Sequence, residues 1–325
     1  MRTKIISTGS YVPDRVLTNQ DLERMVETSD KWIMERTGIK ERRRAGDNES
    51  ASDLAYKAAL QALERAGVGA DTLDLIVVAT ITGDMPFPST ACFLQHKLGA
   101  KTAAAFDVNA ACSGFLYTLS VANAYIRGGI YRRVLIVGTE VLSKFTDWQD
   151  RNTCVLFGDG AGAAIVEAST DDSGVLSVDI YSDGSLAELL YLPGGGSKNP
   201  CSTDTLNNRM HYIKMKGNET FKIAVRTLEQ LVLDALQKNN LKSSDISLLI
   251  PHQANMRIIL ATATRLGLDM DKVMINLDKY GNTSAASIPI AFDEAVTSGR
   301  VKKNDYLLLE AFGGGLTWAS ALIRW

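Results

Sequence analysis

Short apolar runs alternate along this chain with longer segments whose apolar residues recur at helical spacing. The runs predict strands at 4–8, 73–80, 103–108, 133–138, 163–166, 246–250, 273–277, 305–311 and 317–324, with 103–108 buried. The longer segments predict helices over 21–28, 30–36, 51–66, 89–98, 110–128, 221–238, 254–266 and 284–296. Strands that alternate with helices favour parallel pairing with helices on both sheet faces, so the pattern predicts an α/β fold.

The second half of the chain repeats the order of elements found in the first. The corresponding pairs are a helix ending at 98–99 with one ending at 266–267, and 133–138 before FGDGAGAAIV with 305–310 before FGGGLTWASALI. A repeat that occurs once indicates an internal duplication rather than a solenoid. We therefore predict two halves, 1–170 and 171–325, whose equivalent loops meet near a pseudo-twofold axis with Cys112 opposite Asn282.

Composition narrows the class of protein. The 325 residues are 46% hydrophobic and carry a formal net charge of -2, which argues against a strongly basic nucleic-acid-binding protein. The scattered cysteines Cys92, Cys112, Cys154 and Cys201 suggest neither a disulfide framework nor a zinc site. No signal peptide or membrane-spanning run is apparent, so we expect a cytoplasmic protein with no metal and no membrane partner. The charges at 41–44 predict a solvated loop.

Cys112 lies where the predicted strand 103–108 turns into a helix. Unpaired backbone N–H groups and the positive end of the helix dipole meet there, and both favour a thiolate. The same N–H groups could hold the oxyanion that forms when the sulfur attacks a carbonyl. The alternative is that Cys112 is a small buried hydrophobic residue, the commonest fate of a free cysteine.

His252 in PHQAN and Asn282 in YGNTSAAS have similar strand-loop-helix settings, and we expect Asn282 to occupy the position that matches Cys112. Each could instead be a capping or turn residue. With Cys112 they allow two arrangements. A thiol hydrolase would use the histidine as a base toward the cysteine. A condensing enzyme would use the imidazole and the amide as two donors to one thioester oxygen, with 313–315 supplying a backbone N–H.

Seven segments together carry a specific resemblance that runs from the first strand to the last residue. They are WIMERTGIKERR, FDVNAACSGF, DRNTCVLFGDGAGA, GNETFKIAV, PHQANMRI, YGNTSAAS and EAFGGGLTWASALIRW. The chain resembles the β-ketoacyl-acyl carrier protein synthase III family of initiating ketosynthases. The resemblance implies a thiolase-like fold of two βαβαβαββ halves in five layers, αβαβα, and a homodimer. It also implies condensation of an acyl-CoA primer, most simply acetyl-CoA, with malonyl-acyl carrier protein.

The resemblance also assigns roles to individual positions. Cys112 would accept the acyl group, His252 and Asn282 would bind the malonyl thioester, and the backbone N–H groups of Cys112 and Gly314 would form the oxyanion hole. The implied coenzyme A contacts are Thr28, Trp32, Arg36, Arg151, Gly217, Phe221 and Asn255, and Phe87 would limit the acyl pocket across the dimer. No separate cofactor is implied, because coenzyme A enters as the thioester substrate.

A basic rim formed by Lys222, Arg226, Arg257 and Arg265 suits an acidic acyl carrier protein, although a plain solvated surface would have the same composition.

The sequence leaves the identity of the acyl primer open. A branched, longer or secondary-metabolite starter is the main alternative, and the variable segment 194–209 leaves that choice unsettled. A cysteine–histidine thioester hydrolase and a non-catalytic scaffold are the remaining alternatives.

Overall fold

The computed structural model describes residues 2–325. Its strands are β1 (Arg2–Tyr11), β2 (Arg15–Thr18), β3 (Glu41–Arg44), β4 (Leu75–Ala79), β5 (Ala104–Val108), β6 (Arg133–Glu140), β7 (Gly160–Ser169), β8 (Gly174–Ser182), β9 (Leu190–Tyr191), β10 (Lys214–Met215), β11 (Ile246–Pro251), β12 (Tyr306–Gly313) and β13 (Thr317–Arg324). Its helices are α1 (Asn19–Glu23), α2 (Asp30–Thr37), α3 (Ala51–Ala66), α4 (Thr90–Leu98), α5 (Gly114–Arg127), α6 (Arg151–Cys154), α7 (Thr203–Asn207), α8 (Gly217–Lys238), α9 (Met256–Leu266), α10 (Leu277–Tyr280) and α11 (Ser287–Thr297).

Two larger sheets share one strand plan. The N-terminal sheet has the order β1-β7-β6-β4-β5, and the C-terminal sheet has the order β8-β13-β12-β11. In each sheet the strands at one end pair in parallel, β6-β4-β5 in the first and β12-β11 in the second, while the remaining pairs are antiparallel. The repeat of this plan accounts for the sequence correspondence between the two halves.

The two sheets form part of five packed layers. Alternate residues of β4 point to opposite faces, so that Leu75 and Val77 join the central core while Ile76 and Val78 pack beneath α3 and α4. The central core also contains α5, α11 and the inner face of the C-terminal sheet. The outer face of that sheet packs against α8 and α9. The order αβαβα confirms the predicted layering.

Helix α3 shows why the sequence pattern was informative. Its buried residues recur at helical spacing and include Leu54, Ala58 and Ala62. A capping box formed by Ser50 with Asp53 starts the helix, and Gly67 at φ 65° ends it. The predicted helix 51–66 is therefore confirmed at both ends.

The strand predicted at 273–277 is wrong. Only a single bridge, between Val273 and Leu249, marks the place where a fifth strand of the C-terminal sheet would lie. The buried Gln253 side chain explains this, since its Oε1 accepts the backbone N–H groups of Asn276 at 3.0 Å and Leu277 at 3.1 Å. Those donors are then unavailable to a sheet, and the chain turns into α10.

The charged run 41–44 is also not the solvated loop that its composition predicts. It forms β3, which pairs with β2, and Arg42 is fully buried. The Arg42 guanidinium donates to the carbonyl of Leu17, to Oδ1 of Asn19 and to the carbonyl of Val155. A buried arginine is tolerated here because two backbone carbonyls and one side-chain amide oxygen accept hydrogen bonds from its terminal nitrogens.

A buried carboxylate ties the two halves together. Asp293, on α11 in the second half, accepts the hydroxyl of Thr8 at 2.7 Å and that of Ser10 at 2.6 Å, both from β1. Arg65 on α3 completes the cluster with an ion pair to the same carboxylate. Three groups of the first half thus depend on one acid of the second.

We predict that Asp293→Ala lowers the free energy of unfolding by about 2–4 kcal/mol, because the hydroxyls of Thr8 and Ser10 lose their acceptor and Arg65 loses its ion pair, although its guanidinium still donates to the carbonyl of Thr8. Urea unfolding followed by circular dichroism measures this change. The control Asp171→Ala, which removes the exposed partner of Lys4, is expected to leave stability nearly unchanged. Equal loss of stability in both variants would contradict the assigned importance of the cluster.

Candidate active site

Two equivalent turns meet between the sheets. A 3₁₀ turn at Ala111–Ser113 leads into α5, and a 3₁₀ turn at Ser284–Ala286 leads into α11. Both begin with a non-glycine residue at positive φ, 45° at Ala111 and 47° at Ser284, and the turns contact each other. This confirms that the loop of Cys112 meets the loop of Asn282.

The exact equivalence differs from the predicted one. Aligning the two positive-φ residues matches NAACSG with NTSAAS, so Cys112 corresponds to Ala285 and Asn282 corresponds to Asn109. Asn282 therefore lies three residues before the position that matches the cysteine. The two side chains come from different positions of the repeated turn rather than from one position used twice.

Two glycines allow the turns to approach the opposite sheets. A Cβ on Gly138 of β6 would lie 2.1 Å from the carbonyl oxygen of Ala285. A Cβ on Gly313 of β12 would lie 2.7 Å from the backbone nitrogen of Cys112. Each half thus seats the turn of the other at backbone contact, because no side chain intervenes.

His252 follows β11 and is held at both its backbone and its ring. Its backbone N–H donates to the carbonyl of Glu310 at 2.8 Å, and its Nδ1 lies 2.5 Å from the hydroxyl oxygen of Ser287. Nε2 is buried without a hydrogen-bond partner. Burial lowers the pKa of His252 to about 3, so the imidazole is neutral at physiological pH.

The Ser287 hydroxyl is the hydrogen-bond partner of the ring, and the donor and acceptor roles in that pair depend on the tautomer. The backbone N–H of Gln253 also donates to the Ser287 hydroxyl oxygen, at 3.4 Å. When the hydroxyl donates to Nδ1, the ring proton is on Nε2, for which residues 2–325 supply no hydrogen-bond partner. In that tautomer His252 presents a hydrogen-bond donor.

Asn282 presents a second donor. Its Oδ1 accepts the backbone N–H of Ser284 at 2.9 Å, which orients the amide so that its NH₂ group can donate elsewhere. Its own backbone N–H donates to the carbonyl of Leu156 at 2.9 Å, and its carbonyl accepts the N–H of Gly158 at 3.0 Å. Three local hydrogen bonds therefore fix this asparagine in place.

The predicted thiolate at Cys112 is wrong for the free protein. Burial raises the pKa of the thiol to about 12, and the nearby charge of Glu140 also raises it. The Ser284 hydroxyl and the backbone N–H groups of Cys112 and Gly314 act in the opposite direction. Desolvation of a side chain that is 5% exposed outweighs these groups. The two N–H groups predicted as an oxyanion hole nevertheless lie beside the sulfur.

The residues predicted to contact coenzyme A fall on neighbouring elements. The guanidinium of Arg151 lies 4.9 Å from the centre of the Trp32 ring, and that of Arg36 lies 5.9 Å from it. Asn255 links α9 to α2, because its Nδ2 donates to the carbonyl of Arg36 at 2.9 Å while its Oδ1 caps α9. The Thr28 hydroxyl is buried without a partner.

Further predicted positions lie around this patch. Gly217 is the first residue of α8, four residues before Phe221, and the guanidinium of Arg257 lies 4.6 Å from the Phe221 ring. The basic rim of Lys222, Arg226, Arg257 and Arg265 is exposed. Phe87 is 83% exposed in the single chain, between β4 and α4, so one chain alone does not enclose it.

Several residues beside the site were not found from the sequence. Glu140 ends β6 as a fully buried acid, and Ser284, Ser287 and Gln253 form the hydrogen bonds described above. A signal for Glu140 existed in the sequence, since an acid follows the apolar run 133–138 after a single threonine. The serines carried no such signal, because small polar residues are common in turns.

A metal site and a membrane-spanning helix are both absent from the described residues, 2–325. Within them, no group of three or more histidine, cysteine, aspartate or glutamate side chains has the arrangement of a metal site. In that same range, no helix has the length and apolar character that crossing a bilayer requires.

Comparison with known proteins places the chain in a family. Models of 3-oxoacyl-[acyl-carrier-protein] synthase III match residues 106–184, and those of its C-terminal region match residues 236–325. A β-ketoacyl-[acyl-carrier-protein] synthase III from Desulfitobacterium hafniense is 53% identical over 99% of this chain and 97% of its own. One from Xanthomonas campestris is 54% identical over 99% and 98%.

Solved structures agree with this placement. A 3-oxoacyl-[acyl-carrier-protein] synthase III from Aquifex aeolicus superposes with a TM-score of 0.93 at 50% identity, covering 99% of this chain and all of its own. The priming β-ketosynthase of the R1128 polyketide pathway gives 0.92 at 34% identity, covering 99% and 96%. Fold and relatives together define a thiolase-fold condensing enzyme, which is an acyltransferase. Within that class, the chain belongs to the β-ketoacyl-[acyl-carrier-protein] synthase III family.

We predict that alkylation of Cys112 by iodoacetamide accelerates about tenfold per pH unit from pH 7 to 9, because the reactive thiolate remains a small fraction below its pKa. No inflection is expected near 6.5, the ordinary pKa of histidine, since His252 stays neutral there. Peptide mass spectrometry distinguishes Cys112 from the exposed Cys92 and Cys201. A rate that is already constant around neutral pH would contradict the raised thiol pKa.

Proposed function

We propose that the protein transfers an acyl group, most simply acetyl, from coenzyme A to Cys112 and then condenses it with malonyl-acyl carrier protein. The product is a 3-ketoacyl-acyl carrier protein, the first elongated intermediate of fatty acid biosynthesis. The observation that carries the proposal is the contact between the turn of the buried Cys112 and the turn that follows Asn282, whose helix also binds the His252 ring through Ser287. The amide of Asn282 and, in one tautomer, Nε2 of His252 are available as donors. Two donors without a nearby strong base suit thioester binding.

In the first step the Cys112 sulfur attacks the acyl-CoA carbonyl carbon. A carbon–sulfur bond forms, and the carbonyl oxygen becomes an oxyanion that the N–H groups of Cys112 and Gly314 are placed to bind. The bond to the coenzyme A sulfur then breaks, and coenzyme A leaves as the thiol with the proton that Cys112 lost. The acyl group remains on Cys112.

In the second step the malonyl thioester oxygen accepts hydrogen bonds from His252 and Asn282. The bond to the carboxylate breaks, carbon dioxide leaves, and the electron pair forms an enolate that the two donors stabilise. The enolate carbon attacks the acyl-Cys112 carbonyl, a carbon–carbon bond forms, and the cysteine sulfur leaves and regains a proton from solvent. Loss of carbon dioxide generates the nucleophile, so a neutral His252 is sufficient.

Substrate recognition follows from the surrounding surface in this proposal. Trp32 and Arg151 would hold the adenine ring between them, since planar guanidinium groups stack well on aromatic faces. Thr28 and Arg36 would contact the adenine edge and phosphate, while Gly217, Phe221 and Asn255 would line the pantetheine path. A cytoplasmic location, expected from the scattered free cysteines, stays a prediction.

The basic rim is proposed to dock acyl carrier protein. Reversing two of its charges, in Arg226→Glu and Arg265→Glu, is expected to raise the KM for malonyl-acyl carrier protein about two- to fivefold per site, the range of an exposed ion pair. Acetyl transfer from acetyl-CoA should not change. Lys303→Glu, at an exposed position in the loop between α11 and β12, serves as the control. An equal rise in this KM for all three variants would contradict the assignment, because it would show that net charge rather than the basic rim determines binding.

A homodimer is proposed from two features of the single chain. Strand β5, predicted to be buried, instead forms an edge of the N-terminal sheet and stays half exposed. Phe87 stands on the surface beside α4, which packs on β5. A second copy paired along this edge would bury both, and Phe87 would then reach the acyl pocket of the partner.

A second candidate differs only in the primer. The likeness to a priming β-ketosynthase of a polyketide pathway favours testing branched, longer or secondary-metabolite starters. A thioester hydrolase is disfavoured because burial lowers the pKa of His252 to about 3, which makes its imidazole a poor base toward the thiol.

Incubation with acetyl-CoA tests the proposal. We expect one equivalent of coenzyme A to be released in a burst, with a stable acetyl adduct on Cys112 found by peptide mass spectrometry, and 3-ketoacyl product only after malonyl-acyl carrier protein is added. Cys112→Ser should abolish the adduct. Continuous release of coenzyme A without malonyl acceptor would instead indicate a hydrolase, and wild-type behaviour of Cys112→Ser would indicate a scaffold. Repeating the burst with a panel of acyl-CoAs identifies the primer.

A further inference from the structure

Glu140 is a fully buried carboxyl group beside the active site that the proposed mechanism does not use. It ends β6, and its two oxygens accept three donors from the segment that follows β4. These are the hydroxyl of Thr82 at 2.5 Å, the hydroxyl of Thr80 at 3.3 Å and the backbone N–H of Ile81 at 3.2 Å. The same segment leads into the loop that carries Phe87.

The second half approaches the same carboxyl group. The turn Ser284–Ala286 contacts β6, and the Ser284 hydroxyl and the Ala285 backbone N–H oppose the rise that burial causes in the pKa of Glu140. The Ser284 hydroxyl likewise opposes the rise in the pKa of the Cys112 thiol. Within residues 2–325, Ser284 Oγ is buried without a hydrogen-bond partner. Gly138, two residues before Glu140, admits the carbonyl of Ala285 to the strand.

We propose that Glu140 is a positioning residue that joins the Thr80–Thr82 segment to the Ser284–Ala285 turn and so aligns Cys112 with Asn282. The inference rests on the proposed function only in taking Cys112 as the nucleophile. Asn282 is bonded directly to the backbone of Ser284, so a shift of that turn moves the amide donor. The acid thus acts through its neighbours and does not touch substrate.

The charge of this acid works against thiol ionisation. The charge of Glu140 raises the pKa of Cys112, although less than burial does. Burial raises the pKa of Glu140 itself to about 7. Removing the charge should therefore make Cys112 easier to deprotonate even as alignment is lost. A group that only supported the fold would not produce these opposite effects.

Two substitutions separate charge from shape. Glu140→Gln keeps the length and loses the charge, and its NH₂ group faces donors that need an acceptor. We expect Cys112 to react with iodoacetamide about threefold faster at pH 8. The kcat of condensation should fall about tenfold or more, because small misplacements of reacting groups are costly. Glu140→Asp keeps the charge but shortens the reach, so condensation should fall while alkylation stays at the wild-type rate.

Controls distinguish positioning from loss of stability. Asp159 is a buried acid in the same half that accepts Ser143 and Ala45 donors, and Asp159→Asn should change the melting temperature without accelerating Cys112 alkylation. In a double-mutant cycle, Glu140→Gln and Ser284→Ala should be strongly non-additive in kcat, since both disturb one contact.

The inference is overturned if both Glu140 variants, folded and with normal melting temperatures, condense at the wild-type rate. It is also overturned if kcat falls only in proportion to folded protein and alkylation does not accelerate in Glu140→Gln. Failure of the wild-type protein to acquire an acetyl group on Cys112 would instead reject the proposed function, so the two failures are distinguishable.

Discussion

The backbone-to-backbone contact of each turn, Ala111–Ser113 and Ser284–Ala286, with the sheet of the opposite half is the constraint on which the site depends. Gly138 and Gly313 are the positions where a single added carbon would overlap Ala285 or Cys112. A strand of each half thus seats the turn of the other half. The turns of Cys112 and Asn282 therefore meet only when both halves are folded and packed, and the Asp293 cluster secures that packing from the outside.

Burial then determines the protonation state of Cys112 and His252. The same desolvation keeps the Cys112 thiol protonated and the His252 imidazole neutral, although the two groups titrate in opposite senses. A thiolate–imidazolium pair is thus absent from the free protein as the residues 2–325 are arranged. In the proposed reaction, catalysis draws on oriented N–H groups whose hydrogen bonds strengthen as negative charge develops on the substrate oxygen, which is electrostatic preorganisation rather than permanent charge.

Much of the fold and the centre of the site could be predicted from sequence because both depend on local pattern. Apolar periodicity located α3 and β13, and a strand-loop-helix setting located Cys112, His252 and Asn282. The features that the sequence did not predict depend on contacts between residues far apart in the chain. Whether Arg42 is buried depends on carbonyls at 17 and 155, and whether 273–277 forms a strand depends on Gln253. The thiol pKa was misjudged because helix-end N–H groups are local, while desolvation comes from the whole surrounding structure.

The hydrogen-bond partners of His252 link these levels. Its Nδ1 faces Ser287, 35 positions away in the chain, and that serine belongs to the helix that follows the Asn282 turn. The backbone N–H of Gln253 donates to the same serine oxygen, while the Gln253 side chain accepts the backbone N–H groups of Asn276 and Leu277. One buried glutamine thus interrupts the sheet and joins the turn after β11 to the helix that carries Ser287. The break in the strand pattern and the placement of the imidazole have a common structural origin.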